Sequence, residues 1–162
     1  MIEIVACNLY PFSDAAAIEP PLDDLDLLEM VDIGGPTMVR ASAKNHLNVV
    51  LACTPGDYSS IIDELKSGSV SLETRRSLAL KAYEHTATYD SAISNELAGR
   101  WNGLPEESDD TEEQSRRLPA TMTVAAHRKL HLRYGENSHQ AAALYVDPGA
   151  VEGETLVTAK VE

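Results

Sequence analysis

A chain of 162 residues, 43% hydrophobic and 24% charged, has the balance of a globular protein with room for one domain and part of another. Thirteen Lys and Arg against 26 Asp and Glu give a formal net charge of −13, which argues against long nucleic acid but allows a small anion at a local positive site. There is neither a run of about eighteen apolar residues nor a basic-then-apolar leader, so no membrane span or secretory signal is expected and a cytoplasmic location follows.

The elements follow in chain order. Ile2 to Cys7 (IEIVAC) is apolar and β-branched and reads as a buried strand that Pro11 cannot continue. Residues 13–22 read as loop, and Leu22 to Glu29 as a short helix with Leu25, Leu27 and Leu28 inward. Asp32 to Gly35 is a turn. Pro36 suits a first helical position, and Thr37 to Lys44 is the helix it opens. Val49 to Cys53 (VVLAC) is a second buried strand. Pro55-Gly56-Asp57 leads into a helix over Tyr58 to Lys66, with Gly68 as its stop.

Ser71 is placed to cap the longest helix, Leu72 to about Leu97, with Glu73 favourable in its first turn. Leu72, Leu78, Ala79, Ala82, Tyr83, Thr86, Tyr89, Ile93 and Leu97 recur at threes and fours as one buried stripe. Strands alternating with helices argue an α/β layer with a parallel sheet. From Gly99 the chain turns acidic, with Glu106 to Glu113 (EESDDTEE) read as a solvated linker over 99–117. Beyond it, Thr121 to Ala126, Leu130 to Tyr134, Ala142 to Val146 and Leu156 to Val161 are short strand-like pieces. About 45 such residues bury little of their own surface, so 118–162 reads as the incomplete start of a second, β-rich domain after a first domain over 1–98.

Three stretches carry polar groups in suggestive places. In Asp32 to Lys44 (DIGGPTMVRASAK), Gly34 and Gly35 allow unusual backbone angles and close approach, and a helix opening behind them can face an anion. Asp32 could hold a ribose hydroxyl or a substrate amide, and Lys44 could supply a charge or a proton. A plain turn with a surface lysine fits the same pattern. In Asn8 to Phe12, Asn8 and Tyr10 stand at the carboxyl end of the first strand, where α/β sheets gather ligands, though a turn that plugs the core is equally compatible. In Arg133 to Gln140 (RYGENSHQ), Arg133 suits bidentate phosphate capture and His139 can move protons near neutrality, while a solvated loop remains the alternative.

His85 on the long helix reads as a core or rim residue. His127 and His131 lack acid or thiol partners nearby. The two cysteines, Cys7 and Cys53, sit in apolar runs and read as buried reduced thiols. No metal-ligand spacing and no Ser/His/Asp or Cys/His arrangement is legible, so no metal is expected.

Taken together, VACNLYPF, VDIGGPTMVRASAKNH, LALKAYEHTATYDSAIS and LRYGENSHQAAALY, in this order, resemble the bifunctional purine biosynthesis (PurH) family. That family joins an AICAR transformylase to an IMP cyclohydrolase. The resemblance implies a methylglyoxal-synthase-like α/β domain that closes formyl-AICAR to IMP, followed by the start of the transformylase domain. It places Cys7, Asn8, Asp32, Ile33 and Gly34 along a purine nucleotide. It gives Lys44 a proton-transfer role, with Tyr10 and Asp32 at the reacting groups. Arg133 and Tyr134 would hold the transformylase nucleotide, with His139 near formyl transfer. Ser138 stands where members commonly have proline.

The resemblance also implies formyl-tetrahydrofolate as co-substrate, bound outside this segment, and a homodimer, with no nucleic acid or membrane partner. The family's phosphate-binding Ser/Lys loop, its Arg-x-Lys-Thr segment and the catalytic Lys-His pair are not found here, so an internal piece of the enzyme is expected. Two alternatives stay open: a catalytically silent module keeping part of a nucleotide pocket, and an unrelated α/β protein for a small anion.

Overall fold

A computed structural model describes residues 2–101 and 121–150. Contacts divide the chain into two units, Met1–Leu97 and Ala98–Glu162. The acidic run Glu106 to Glu113 and the strand expected over Leu156 to Val161 lie outside the described residues.

The first unit is α/β. Its sheet pairs β1 (Ile4–Ala6) with β2 (Val50–Ala52) in parallel, in the register Ile4↔Val50, Val5↔Leu51 and Ala6↔Ala52. Parallel strands need a crossover, and three helices supply it: α1 (Phe12–Ala16), α2 (Asp24–Leu28) and α3 (Gly34–Lys44). A single 3₁₀ turn, Pro55–Asp57, then leads from β2 into α4 (Tyr58–Lys66), and α5 (Leu72–Trp101) follows.

β2 is buried on both faces, which is why VVLAC reads as an unbroken apolar run. Leu51 and Cys53 pack with Val39 and Ala43 of α3 and with Ala79 and Ala82 of α5. Val50 and Ala52 face the other way, onto Ile61 of α4, Val70 and Leu78. β1 is not the fully buried strand its composition suggests. Val5 joins the α3 side of the core, but Ile4 is 47% exposed. The cluster around α4 reaches β2 and stops there, so the second face of β1 carries no helix among the described residues.

Residues 12–16 form a helix where a loop was expected. Once Pro11 has taken the chain out of the sheet, Asp14 lies in a first turn where the helix dipole favours it, and Phe12 and Ala15 are buried against Leu27 and Tyr89. The Phe12 and Tyr89 rings meet edge to face, 6.4 Å between centroids at 73°. α3 begins at Gly34, earlier than the expected Thr37. α4 covers the expected residues, with Gly68 beyond it at φ 130°. α5 runs on to Trp101, and its first turn is capped as expected: the Thr74 N–H donates to Ser71 Oγ at 3.1 Å.

In the second unit β3 (His127–Leu132) pairs antiparallel with β4 (Ala142–Val146), with an irregular register between Arg128 and Leu130. The segment 121–126 is not a strand despite its alternation, because no described strand pairs with it. β3 starts three residues ahead of the expected Leu130, since His127 and Arg128 find partners in Val146 and Tyr145. No helix of the described residues is long and apolar enough to cross a membrane.

Candidate functional site

The carboxyl ends of β1 and β2 each lead into a polar cluster. After β1 the ladder continues one step, with the Cys7 N–H on the Ala52 carbonyl at 3.0 Å, before the chain turns through Asn8 to Phe12. Opposite this turn α3 begins. Asp32 lies between the two, its Oδ1 accepting the Gly35 N–H at 2.7 Å and its Oδ2 accepting the Tyr10 N–H at 3.4 Å. Its own N–H donates to the Tyr89 hydroxyl at 2.8 Å, and that hydroxyl donates to the Met30 carbonyl at 3.2 Å. Cys7 Sγ points at the Gly35 carbonyl, 3.9 Å away. Cys7, Tyr10, Asp32 and Gly35 therefore form one group, supported from α5 by Tyr89.

The electrostatics define what this group can do. Burial and the Asp32 carboxylate push the Cys7 thiol up, so it stays protonated at neutral pH and is a poor nucleophile. Cys7 is half-buried rather than buried. Burial, above all, raises the Tyr89 phenol, which keeps its proton for Met30. The start of α3 differs from an open phosphate cradle. Asp32 takes the Gly35 N–H, Pro36 has none to offer, and a carboxylate already occupies the positive end of the dipole. Such an end suits a ligand that donates hydrogen bonds, an amide or a hydroxyl, better than an anion. Asn8, Tyr10, Ile33 and Gly34 are exposed around it.

Tyr89→Phe is expected to cost about 1–2 kcal/mol, because the ring packing on Phe12 survives while the Asp32 N–H and the Met30 carbonyl lose their shared partner. A urea midpoint within error of the parent would show that the hydroxyl link is not needed.

Lys44 is not brought to this group. It is the last residue of α3 and exposed, about 15 Å along the helix axis from Gly34, at the end where a cation suits the dipole. One turn earlier, Arg40 lies 5.4 Å over the Tyr83 ring and reaches Thr86 Oγ1 at 3.3 Å, fastening α3 to α5.

The cluster after β2 is centred on Asp57, which is buried. Its Oδ2 accepts the N–H groups of Cys53 and Thr54 at 3.1 and 3.0 Å and the Thr54 hydroxyl at 3.2 Å. Its Oδ1 meets Lys81 Nζ from α5 at 2.5 Å, and the same ammonium donates to Thr54 Oγ1 at 2.7 Å. Burial alone would raise this carboxyl, but the hydrogen bonds from Lys81 and Thr54 prevail and hold it below the usual range. Burial raises the Cys53 thiol, and Asp57 adds to the effect. The sequence reading missed this pair. The available signal was a lysine lying between Ala79 and Ala82 on the buried stripe.

In the second unit, Arg133, Tyr134 and His139 share the loop between β3 and β4, all exposed. The loop is closed by its own bonds: Gly135 N–H to the Gln140 carbonyl at 2.9 Å, and Gln140 N–H to the Asn137 carbonyl at 3.0 Å. The Asn137 N–H to Gln140 Oε1 adds a third at 2.8 Å. Arg133 and Tyr134 stand on one arm of this turn and His139 on the other. Among the described residues no group of three or more His, Cys, Asp or Glu is placed to hold a metal.

Residues 42–161 match the family model described as AICARFT/IMPCHase bienzyme. The chain belongs to that family. Among relatives of this bienzyme family, the bifunctional purine biosynthesis protein PurH of Persephonella marina is 47% identical over 161 residues, covering 99% of this chain and 29% of that protein. PurH of Sorangium cellulosum is 43% identical over 153 residues, covering 94% of this chain and 28% of that protein. A crystal structure of ForH shares 32% identity at a TM-score of 0.50, over 64% of this chain and 53% of that one. The chain thus spans less than a third of the length of these curated bienzyme relatives.

Proposed function

We propose that this chain contributes one wall of the IMP cyclohydrolase site of a cytoplasmic, bifunctional enzyme of de novo purine biosynthesis. The observation that carries the reading is the Asp32 carboxylate held between the N–H groups of Gly35 and Tyr10 at the end of β1, in a chain 47% identical to a PurH protein. Ring closure joins the carboxamide nitrogen of formyl-AICAR to its formyl carbon and expels water. A fixed carboxylate can accept a hydrogen bond from the carboxamide, and the Tyr10 hydroxyl can donate to the formyl oxygen. Cys7, Asn8, Ile33 and Gly34 would line the same nucleotide.

Lys44 enters the proposal on the family resemblance alone, and a Lys44→Ala variant decides its proton-transfer role. The parallel pair β1–β2 with its helices supports reading residues 1–98 as part of a methylglyoxal-synthase-like domain, with 99–117 as linker. Residues 118–162 would open the transformylase domain. There Arg133 and Tyr134 would hold AICAR and His139 would lie near formyl transfer from formyl-tetrahydrofolate, whose own site falls elsewhere in the enzyme. The exposed side chains of Ile2 and Ile4 support a homodimer that covers apolar surface.

In the intact protein that carries this segment, Asp32→Asn is expected to slow ring closure by between about ten- and a hundredfold while formyl transfer stays within twofold. Ring closure that is indifferent to Asp32 would overturn the reading. Nucleotide binding without any Asp32-dependent turnover would favour a silent binding module instead.

A further inference from the structure

The turn after β1 and one face of α5 enclose a groove lined by Tyr10, Phe12, Asp14, His85, Thr88 and Tyr89, among others. Tyr10 and Tyr89 both belong to the Asp32 cluster, so the groove adjoins that cluster along α5. His85 lies one turn before Tyr89 and is half-buried. Neither of its ring nitrogens has a protein hydrogen-bond partner among the described residues, although the neighbouring polar groups do. Asp57 is saturated by Lys81, Thr54 and Cys53, and the Tyr89 hydroxyl by Asp32 and Met30. A half-buried imidazole that lines a groove without a protein partner keeps its nitrogens open to solvent and available to a ligand that enters the groove.

We propose that His85 is a further substrate-binding residue of the ring-closing site, donating or accepting a hydrogen bond to an uncharged polar group of the nucleotide. This rests on the cyclohydrolase reading of Asp32 and extends that site along α5. The state of the ring fits the role. Burial, followed by the Lys81 charge one turn away, lowers the His85 pKa, and Asp57 opposes this without cancelling it. The other titratable groups at the groove are Tyr10, Asp14 and Tyr89. A ring kept neutral at pH 7 offers one donor and one acceptor, which matches an amide, a formyl group or a hydroxyl and not a phosphate.

The test is steady-state kinetics of the intact protein for ring closure and formyl transfer separately. His85→Ala should lower kcat/KM for ring closure about ten- to fiftyfold, chiefly through KM, and His85→Gln, which keeps a donor and an acceptor, should recover most of that loss. Formyl transfer and the melting temperature should not move. In the parent, KM for ring closure should rise on the acid side as the imidazole charges, and this limb should be absent in His85→Gln. If Asp32→Asn is damaging while His85→Ala stays within twofold, His85 binding is wrong and the cyclohydrolase reading stands. If neither variant affects ring closure, that reading fails and takes this one with it. Equal loss of both activities together with a lower melting temperature would assign His85 a structural role and overturn the inference.

Discussion

Replacing Asp57 by alanine is expected to destabilise the first unit by about 2–4 kcal/mol, one of the largest single-residue effects in the chain. Five donors converge on this carboxylate, the Cys53 thiol weakly at 3.9 Å, and two of them are backbone N–H groups at the end of a strand. Removal leaves the backbone N–H groups without an acceptor and the Lys81 ammonium with Thr54 Oγ1 but no carboxylate, in a site where Asp57 itself is 6% exposed. The loss is smaller than for a wholly buried pair because the Lys81 side chain is 42% exposed and can turn toward water. Asp57→Asn keeps the shape and loses the charge, so it should cost less, about 1–2 kcal/mol.

The two variants also differ from the parent in their response to acid. The folded Asp57 carboxyl titrates below its unfolded value of about 3.9, so its stabilisation is complete above that pH. It is lost as pH falls from there through the lower, folded value. Urea midpoints measured from pH 6 down to pH 2.5 should therefore converge between parent and Asp57→Asn at the acid end. A constant gap at every pH would mean that the charge of Asp57 contributes nothing.

Much of the α/β layer was legible because it rests on periodicity. The buried stripe of α5 and the double-faced run of β2 declare themselves in apolar spacing alone, and Ser71 declares the start of α5. What escaped depends on partners distant in sequence. Phe12 to Ala16 looked like loop because its helix is held by Leu27 and Tyr89, not by its own pattern. Residues 121–126 alternate like a strand, yet alternation makes no strand without a neighbour to pair with. At the site, Asp32 and Tyr10 could be picked out as polar groups near a strand end, but not that the Tyr10 N–H reaches the Asp32 carboxylate across 22 positions. The Asp57–Lys81 pair, 24 positions apart, was hidden for the same reason. Lys44 shows the converse. Twelve residues from Asp32 in a motif looks close on paper, but a straight helix turns that spacing into distance.

Two adjacent glycines make the sharpest test of the Asp32 group. Gly35→Ala should leave the protein folded and slow ring closure about a hundredfold. A Cβ on Gly35 would fall 2.3 Å from Asp32 Oδ2 and 2.8 Å from its carboxyl carbon, far inside contact distance. The obstacle is the end of a short side chain, so the cheapest escape is for the carboxylate to swing away. That gives up its bond to the Gly35 N–H and the longer one to the Tyr10 N–H, together about 1–1.5 kcal/mol, while alanine in a helix returns about 0.5–1 kcal/mol. Stability therefore moves little, and the loss falls on the position of the carboxylate. Gly34→Ala meets nothing within 4 Å and leaves Asp32 bonded, so it should hold or raise the melting temperature. The expected signature is a Gly35→Ala protein that melts with the parent but matches Asp32→Asn in ring closure, with little further loss in the double variant. Full turnover in Gly35→Ala would mean that this carboxylate need not stand where α3 puts it, and the site would have to be sought elsewhere on the sheet.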